Sequence, residues 1–432
     1  MLHLQLLKVE KLISFKRGSN IKHKYKIVFF FTIFLCKMRF NYILVILFSV
    51  SFCFCKNVGG VPIIEKIAIE KDTLHSLKGT MYLPANRKPD KIIIYLTSIM
   101  EDGIHPDFTA TRDTLLVMRQ YVQHFTDNHI GVLLLTRNTK WGDSIRSSLS
   151  IKTLASDTEK VLNYLKSKEE YKKIPIGIMG SSEAGCAAAM VVSKHKDITF
   201  SILMSTPGVT GYDEFDYDVE KRVRPFVISA GFQTSMSDSV YIYNGNKYIF
   251  SYQKKASMEV FYDNFYKGIA SIGRQIIPKY SSYDTIKTEA FKLFNEKWKG
   301  TKFKPYYNDP KEGKIPTEKL IKDGILLGAM FNPRYIEFSK WDPKLYFPKI
   351  KQPVLMLYGE KDINISLKPG VDSVRQIIKD CKLTNFSLKY YDGLDHSLFP
   401  YREKKEKRPT GETVPDYVFN DIVHWLDEIN IK

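Results

Sequence analysis

Ser182, Asp362 and His396 lie far apart in the chain, and each follows a short apolar run. Their types suit nucleophilic catalysis. A serine hydroxyl becomes a strong nucleophile when a histidine takes its proton, and an acid then holds the histidine tautomer and stabilises the imidazolium. Ser182 belongs to IPIGIMGSSEAGCAAAM, residues 174–190. The apolar run reads as a buried strand, and the small residues Ala184 to Ala189 read as a helix able to pack close against a sheet. Between them stands Gly180-Ser181-Ser182-Glu183-Ala184-Gly185, the spacing G-x-S-x-G with Ala184 in place of the second glycine. A serine at the apex of such a strand-to-helix turn is strained, with its hydroxyl raised above the sheet, and crowded backbone demands small neighbours. The N–H of Glu183, at the helix N-terminus, would point where an oxyanion forms. The plainer alternative for this stretch is an ordinary strand, a glycine turn and an Ala-rich helix.

The acid and the histidine are expected after later strands. PVLMLYGEKDINI gives a strand over Val354 to Tyr358 and a glycine turn carrying Asp362. NFSLKYYDGLDHSLF gives another strand and delivers His396 on the loop beyond it. Taken singly, Asp362 is a turn aspartate and His396 a loop histidine. Taken with Ser182, they stand in the order serine, acid, histidine, each just past a strand. On GSSEAG, PVLMLYGEKD and GLDHSLF the chain resembles the α/β-hydrolase fold superfamily, specifically its bacterial serine esterase and serine aminopeptidase-like branch, from about Lys66 to the end. The resemblance implies an α/β fold with a mostly parallel central sheet flanked by helices and a cap insertion between the sixth and seventh core strands.

The elements that must position these residues follow in order. IIEKIAIE and LKGTMYL, between Val61 and Leu83, read as an antiparallel start to the sheet, and Ile92 to Leu96 as a central strand. In the family the loop after that strand donates a second oxyanion N–H. Here Thr97 takes the usual glycine position and Ser98 the donor's, a departure that a backbone donor tolerates. His105, just beyond, reads as a surface-loop histidine. Thr109 to Asp127 reads as a helix, residues 131–136 as a strand and Ile151 to Ser167 as an amphipathic helix. Relatives carry a D-x-R-G-x-G-x-S loop at Thr136 to Ser144; Gly142 and Ser144 fit, and the acid and arginine are shifted or lost.

After FSILMSTPG (200–208), a further buried strand, regular alternation stops, and Tyr212 to Asp342 is rich in aromatic and charged residues. In it YIYNGNKYIF reads as a hairpin turning at Asn-Gly, while SMEVFYDNFYKGIASIGRQII and Thr285 to Trp298 read as helices. The aromatics, among them Phe232, Phe261, Phe265 and Tyr266, read more readily as the cap's own core than as a ligand cage. VFNDIVHWLDEI closes the chain as a helix, with His424 on it as a packing or surface residue. The expected division is a leader at 1–55, hydrolase core at 56–211, cap at 212–342 and the rest of the core at 343–432.

Net charge is +18, and residues 1–55 hold nine Lys or Arg against one acid, Glu10. The remaining +10 is spread without a compact basic block or a recognition motif, so nucleic acid is not an expected partner. Met38-Arg39-Phe40 followed by NYILVILFSVSFCFC has the layout of a secretory signal, which suggests a true start at Met38 and an extracytoplasmic protein. An uncleaved anchor, or a lipoprotein acylated at Cys53 or Cys55, are alternatives that would attach it to a membrane. Cys186 and Cys381 are the cysteines beyond the leader, Cys186 reading as a small buried residue, and no Cys/His spacing suggests a metal. The expectation is therefore an exported serine hydrolase that cleaves a carboxylic ester through an acyl-enzyme without a cofactor. The alternatives are a serine aminopeptidase-like peptidase, acting on a peptide substrate, and a non-catalytic hydrolase-fold binding protein.

Overall fold

Eight of the apolar runs pair into one sheet, in the order Ile63–Glu70, Leu77–Leu83, Ile130–Arg137, Lys91–Leu96, Ile176–Ser181, Phe200–Met204, Val354–Gly359 and Phe386–Tyr391. In the computed structural model the residues described are 61–70, 77–96, 113–137, 150–218, 220–221, 238–243, 246–251, 268, 270–298, 304–309, 313–316, 331, 333–403 and 412–429. The leading strands β1 (Ile63–Glu70) and β2 (Leu77–Leu83) pair antiparallel, and β2 runs antiparallel to β4 (Ile130–Arg137). All later neighbours are parallel: β3 (Lys91–Leu96), β5 (Ile176–Ser181), β6 (Phe200–Met204), β11 (Val354–Gly359) and β12 (Phe386–Tyr391). Each strand foreseen in the core is present, although the one expected over 200–208 ends at Met204.

Parallel strands need long crossovers, and the helices that supply them cover both faces. The alternating residues of β3 show the consequence: Ile92, Ile94 and Leu96 enter one buried cluster, Ile93 and Tyr95 the other. The first cluster is closed by α2 (Ile151–Ser167), α3 (Glu183–Val192) and α8 (Leu367–Asp380). The second is closed by α1 (Asp113–Asp127) and α9 (Asp416–Glu428), through Val418, Phe419, Ile422, Trp425 and Leu426. Helix α2 shows how sequence sets such an element. Ile151, Leu154, Ala155, Thr158, Val161, Leu162 and Leu165 recur at three- and four-residue steps and are all buried. Ser150 begins the helix by accepting the Thr153 N–H at 3.1 Å and donating its own N–H to Thr153 Oγ1 at 2.9 Å, a reciprocal cap.

β6 and β11 are neighbours in the sheet although some 150 residues separate them in the chain, so the segment expected as a cap insertion runs between two adjacent strands. It holds α4 (Gly211–Asp218), helical residues 270–276, α5 (Tyr283–Trp298), α6 (Pro333–Ser339) and a second, four-stranded antiparallel sheet. The expected hairpin is there: β7 (Asp238–Tyr243) pairs with β8 (Asn246–Ser251) across the Asn244-Gly245 pair. Strands β9 (Lys304–Asp309) and β10 (Gly313–Pro316) extend it and were not foreseen. They are short, carry proline and charge, and lack the clean alternation that marks a strand. Residues 257–267 of the expected first cap helix lie outside the described residues, while Thr285 to Trp298 is helical.

The insertion is tied at its base. Gly211 N–H donates to the Trp341 carbonyl at 2.8 Å, joining the departing chain to the returning one. Trp341 is buried, stacks on Tyr346 of α7 (Pro343–Tyr346) and donates its indole N–H to the Pro207 carbonyl at 3.1 Å. The expected leader, residues 1–55, lies outside the described residues, and among the described residues no helix is long and apolar enough to cross a membrane.

Candidate active site

Ser182 stands between the last residue of β5 and the first of α3 with φ 58° and ψ −129°. A non-glycine residue in that region is strained by about 1–3 kcal/mol and is held there only if its surroundings over-determine it. They do. The Ser182 N–H donates to the Met204 carbonyl of β6 at 2.9 Å, and Gly185 N–H closes the turn on the Ser182 carbonyl at 2.9 Å. A side chain at Gly180 would put its Cβ 2.5 Å from the Ala184 carbonyl oxygen, so only glycine fits. Thr206 fills the space a side chain at Gly185 would need, and Ala184 is itself fully buried. The small residues of GSSEAG are therefore steric requirements of the turn. Glu183 opens α3, so its N–H belongs to the first helical turn, whose donors lack intrahelical acceptors.

Asp362 and His396 meet. His396 Nδ1 lies 2.8 Å from Asp362 Oδ2, and the other carboxylate oxygen accepts the Asn364 N–H at 2.8 Å. The Asp362 side chain is fully buried and that of His396 is 18% exposed, so the pair is shielded at the acid and open at the imidazole. A carboxylate on Nδ1 favours the tautomer that keeps the proton on that nitrogen and the lone pair on Nε2.

Backbone bonds stitch the two turns together. Glu360 N–H donates to the Tyr391 carbonyl and Lys361 N–H to that of Leu394, both at 2.9 Å. Gly359 has no room for a side chain because the carbonyls of Leu394 and Asp395 lie against it. Asp395, the acid adjacent to His396 in sequence, does not pair with the ring; its Oδ1 accepts the N–H groups of Ser397 at 2.9 Å and Phe399 at 3.1 Å.

Ser182 follows β5, Asp362 follows β11 and His396 follows β12, all at the carboxyl edge of one parallel set of strands. One strand, β6, separates β5 from β11, a distance of roughly 10 Å at normal strand spacing. Ser98 and His105 lie outside the described residues, as do residues 138–149 and Phe232, Phe261, Phe265 and Tyr266. His424 is an exposed residue of α9 beside Glu428. Cys186 is buried in α3, where burial pushes its thiol well above the ordinary range, so it stays protonated and is no rival nucleophile. Among the described residues no group of three His, Cys, Asp or Glu could hold a metal ion.

Sequence reading missed three contacts beside these residues. Arg334 of α6 places Nε 2.8 Å from the Glu183 carboxylate. Buried Glu214 of α4 accepts the Ser366 N–H at 2.7 Å, at the start of α8 just beyond Asp362. Ser205 donates its hydroxyl to the His396 carbonyl at 2.8 Å. The partners stand 151, 152 and 191 residues apart, and periodicity carries no signal over such spans. For Ser205 alone a signal existed: a hydroxyl residue just past a core strand, the place that also marked Ser182.

No family model matches the chain, and no curated protein matches it by sequence. Among solved structures it is similar to a monoglyceride lipase from Saccharomyces cerevisiae, with 17% identity and a TM-score of 0.44, covering 86% of this chain and 96% of that one. An esterase from Pyrococcus furiosus gives 13% identity and a TM-score of 0.43 over 85% and 91%. Est1E from Butyrivibrio proteoclasticus gives 11% and 0.40 over 85% and 98%. The strand order with its antiparallel leading strands, the helices on both faces and the strained serine turn after β5 define the architecture independently: this chain has the α/β-hydrolase fold.

Proposed function

We propose that the protein is a serine hydrolase and that its substrate is a carboxylic ester. Fold alone does not assign an activity, so the reading rests on the site. The observation that carries it is the buried Asp362 paired with His396 at 2.8 Å, on the same sheet edge as a serine held at φ 58°. In this reading His396 Nε2 takes the proton of Ser182 as Oγ attacks the ester carbonyl. Asp362 orients the imidazole and stabilises its charged form, and the backbone N–H groups of Glu183 and Ser98 bind the oxyanion. The alcohol leaves with the proton from His396, and water, activated by the same imidazole, releases the acid and restores Ser182. The scheme draws on side chains and backbone alone.

The insertion is the natural source of selectivity, since its returning helix α6 already reaches the elbow through Arg334 and Glu183. Export completes the proposal; it rests on the basic, then apolar, leader and is checked by mass spectrometry of the native N-terminus. The reaction is tested with a fluorophosphonate probe and with p-nitrophenyl esters set against aminoacyl anilides. Labelling of Ser182 with ester turnover supports the proposal. Labelling with anilide turnover alone would move it to a peptidase, and no labelling would leave a binding protein.

A further inference from the structure

Three supports of the site converge on one dipeptide that does no chemistry, Met204-Ser205 at the end of β6. The Met204 carbonyl accepts the Ser182 N–H at 2.9 Å. Ser205 N–H donates to the Leu357 carbonyl of β11, the strand that leads to Asp362, at 2.8 Å. Ser205 Oγ donates to the His396 carbonyl at 2.8 Å. One peptide unit thus touches the nucleophile's backbone, the acid's strand and the histidine's backbone. Ser205 is fully buried, so its hydroxyl has no bulk water as an alternative acceptor. Its φ is +44°, a conformation glycine would adopt freely and serine holds at a cost. The fold keeps a serine at a backbone conformation that its Cβ makes costly, and its hydroxyl is the group that makes a contact there.

Resting on the serine-hydrolase reading, we infer that Ser205 is a positioning residue for His396. The imidazole is fixed at its ring by Asp362, and the bonds that shape its turn act on Leu394 and Asp395, beside His396 rather than on its own carbonyl. The Ser205 hydroxyl fixes the other end of the same residue, at its carbonyl. With both ends held, Nε2 keeps its height above the sheet edge where the Ser182 hydroxyl emerges. Ser205 acts before any proton moves, by restricting where the base can be.

The test uses the full chain with Ser205→Ala and Ser205→Gly, active sites counted with the fluorophosphonate probe, and kcat, KM and Tm measured on a p-nitrophenyl ester. The glycine variant suits the positive φ, so it folds without the backbone strain that alanine retains. Both variants are expected to lose roughly ten- to a hundredfold in kcat per titrated site with KM close to wild type, because a displaced base slows chemistry more than binding. Unchanged kcat per titrated site in both overturns the inference. So does a loss confined to alanine that follows its Tm, which would make Ser205 a folding residue. If wild type neither labels at Ser182 nor turns over, the serine-hydrolase reading falls and takes this inference with it.

Discussion

The turn after β5 and the turns after β11 and β12 present side chains at the same sheet edge, yet they are built differently. The serine turn is local: six consecutive residues, a strained φ and sterically enforced small neighbours make it, with one bond out to β6. The aspartate and histidine turns are made jointly, although Leu398 beside the histidine also holds a positive φ, of 62°. Each is held by backbone and side-chain bonds to the other, across more than thirty residues of chain. A local device can be written in a motif and copied whole. A joint device exists only when two strands are already paired in register, so it depends on the whole sheet.

Four substitutions probe that difference. The largest effect is expected from Ser182→Ala, with turnover falling by on the order of a millionfold and fluorophosphonate labelling abolished, since the triad acts as a unit. Ser181→Ala, one residue earlier, should stay close to wild type. Next comes Asp362→Asn, expected to lose about ten-thousandfold in kcat by presenting the wrong partner to Nδ1. Asp395→Asn should be mild, because asparagine keeps the oxygen that accepts from Ser397 and Phe399. Kinetics in which Asp395→Asn is the damaging change would show the acid to be misassigned.

Glycine substitutions separate the two constructions more finely. Gly359→Ala should push on the carbonyls of Leu394 and Asp395, move the histidine turn and cost roughly a hundredfold in kcat. Gly180→Ala should act on folding first, lowering stability by about 1–3 kcal/mol in thermal or denaturant unfolding. If Gly359→Ala instead leaves kcat unchanged, the joint device is looser than its bonds suggest. The smallest effect is expected from Arg334→Gln. Its pairing with Glu183 is partly solvent-exposed, so the stability change should stay under about 1 kcal/mol and shrink further in salt. A large loss of turnover there would mean that the elbow is less self-sufficient than described.

The same distinction governs how much the sequence revealed. Buried parallel strands announced themselves as continuous apolar runs, and Ile151 to Ser167 as a helix through its three- and four-residue spacing, because each signal is local. GSSEAG was legible for the same reason. Asp362 and His396 were legible only through their order after strands, which resemblance supplied; nothing in GEKDINI states that its aspartate turns toward a histidine 34 residues on. Glu214 and Arg334 were not legible, and Ser205 only by its place just past a core strand, since the partners of all three become neighbours only in the folded chain. In the insertion, β9 and β10 escaped because short strands carrying proline and charge look like loop.

The closed base of the insertion has a consequence for how such a chain can change. Where it departs and where it returns, the backbone is joined by the Gly211–Trp341 bond, and Trp341 seals the join against Pro207. The parent sheet therefore meets the excursion at a clasp whose width does not depend on what hangs from it. Closing a longer loop costs only about 0.6 kcal/mol for each doubling of its length. Duplication, loss or exchange of the stretch between α4 and α6, which keep Glu214 on Ser366 and Arg334 on Glu183, would thus leave the strands on either side in register. At this seam a new specificity can be tried out without renegotiating the scaffold.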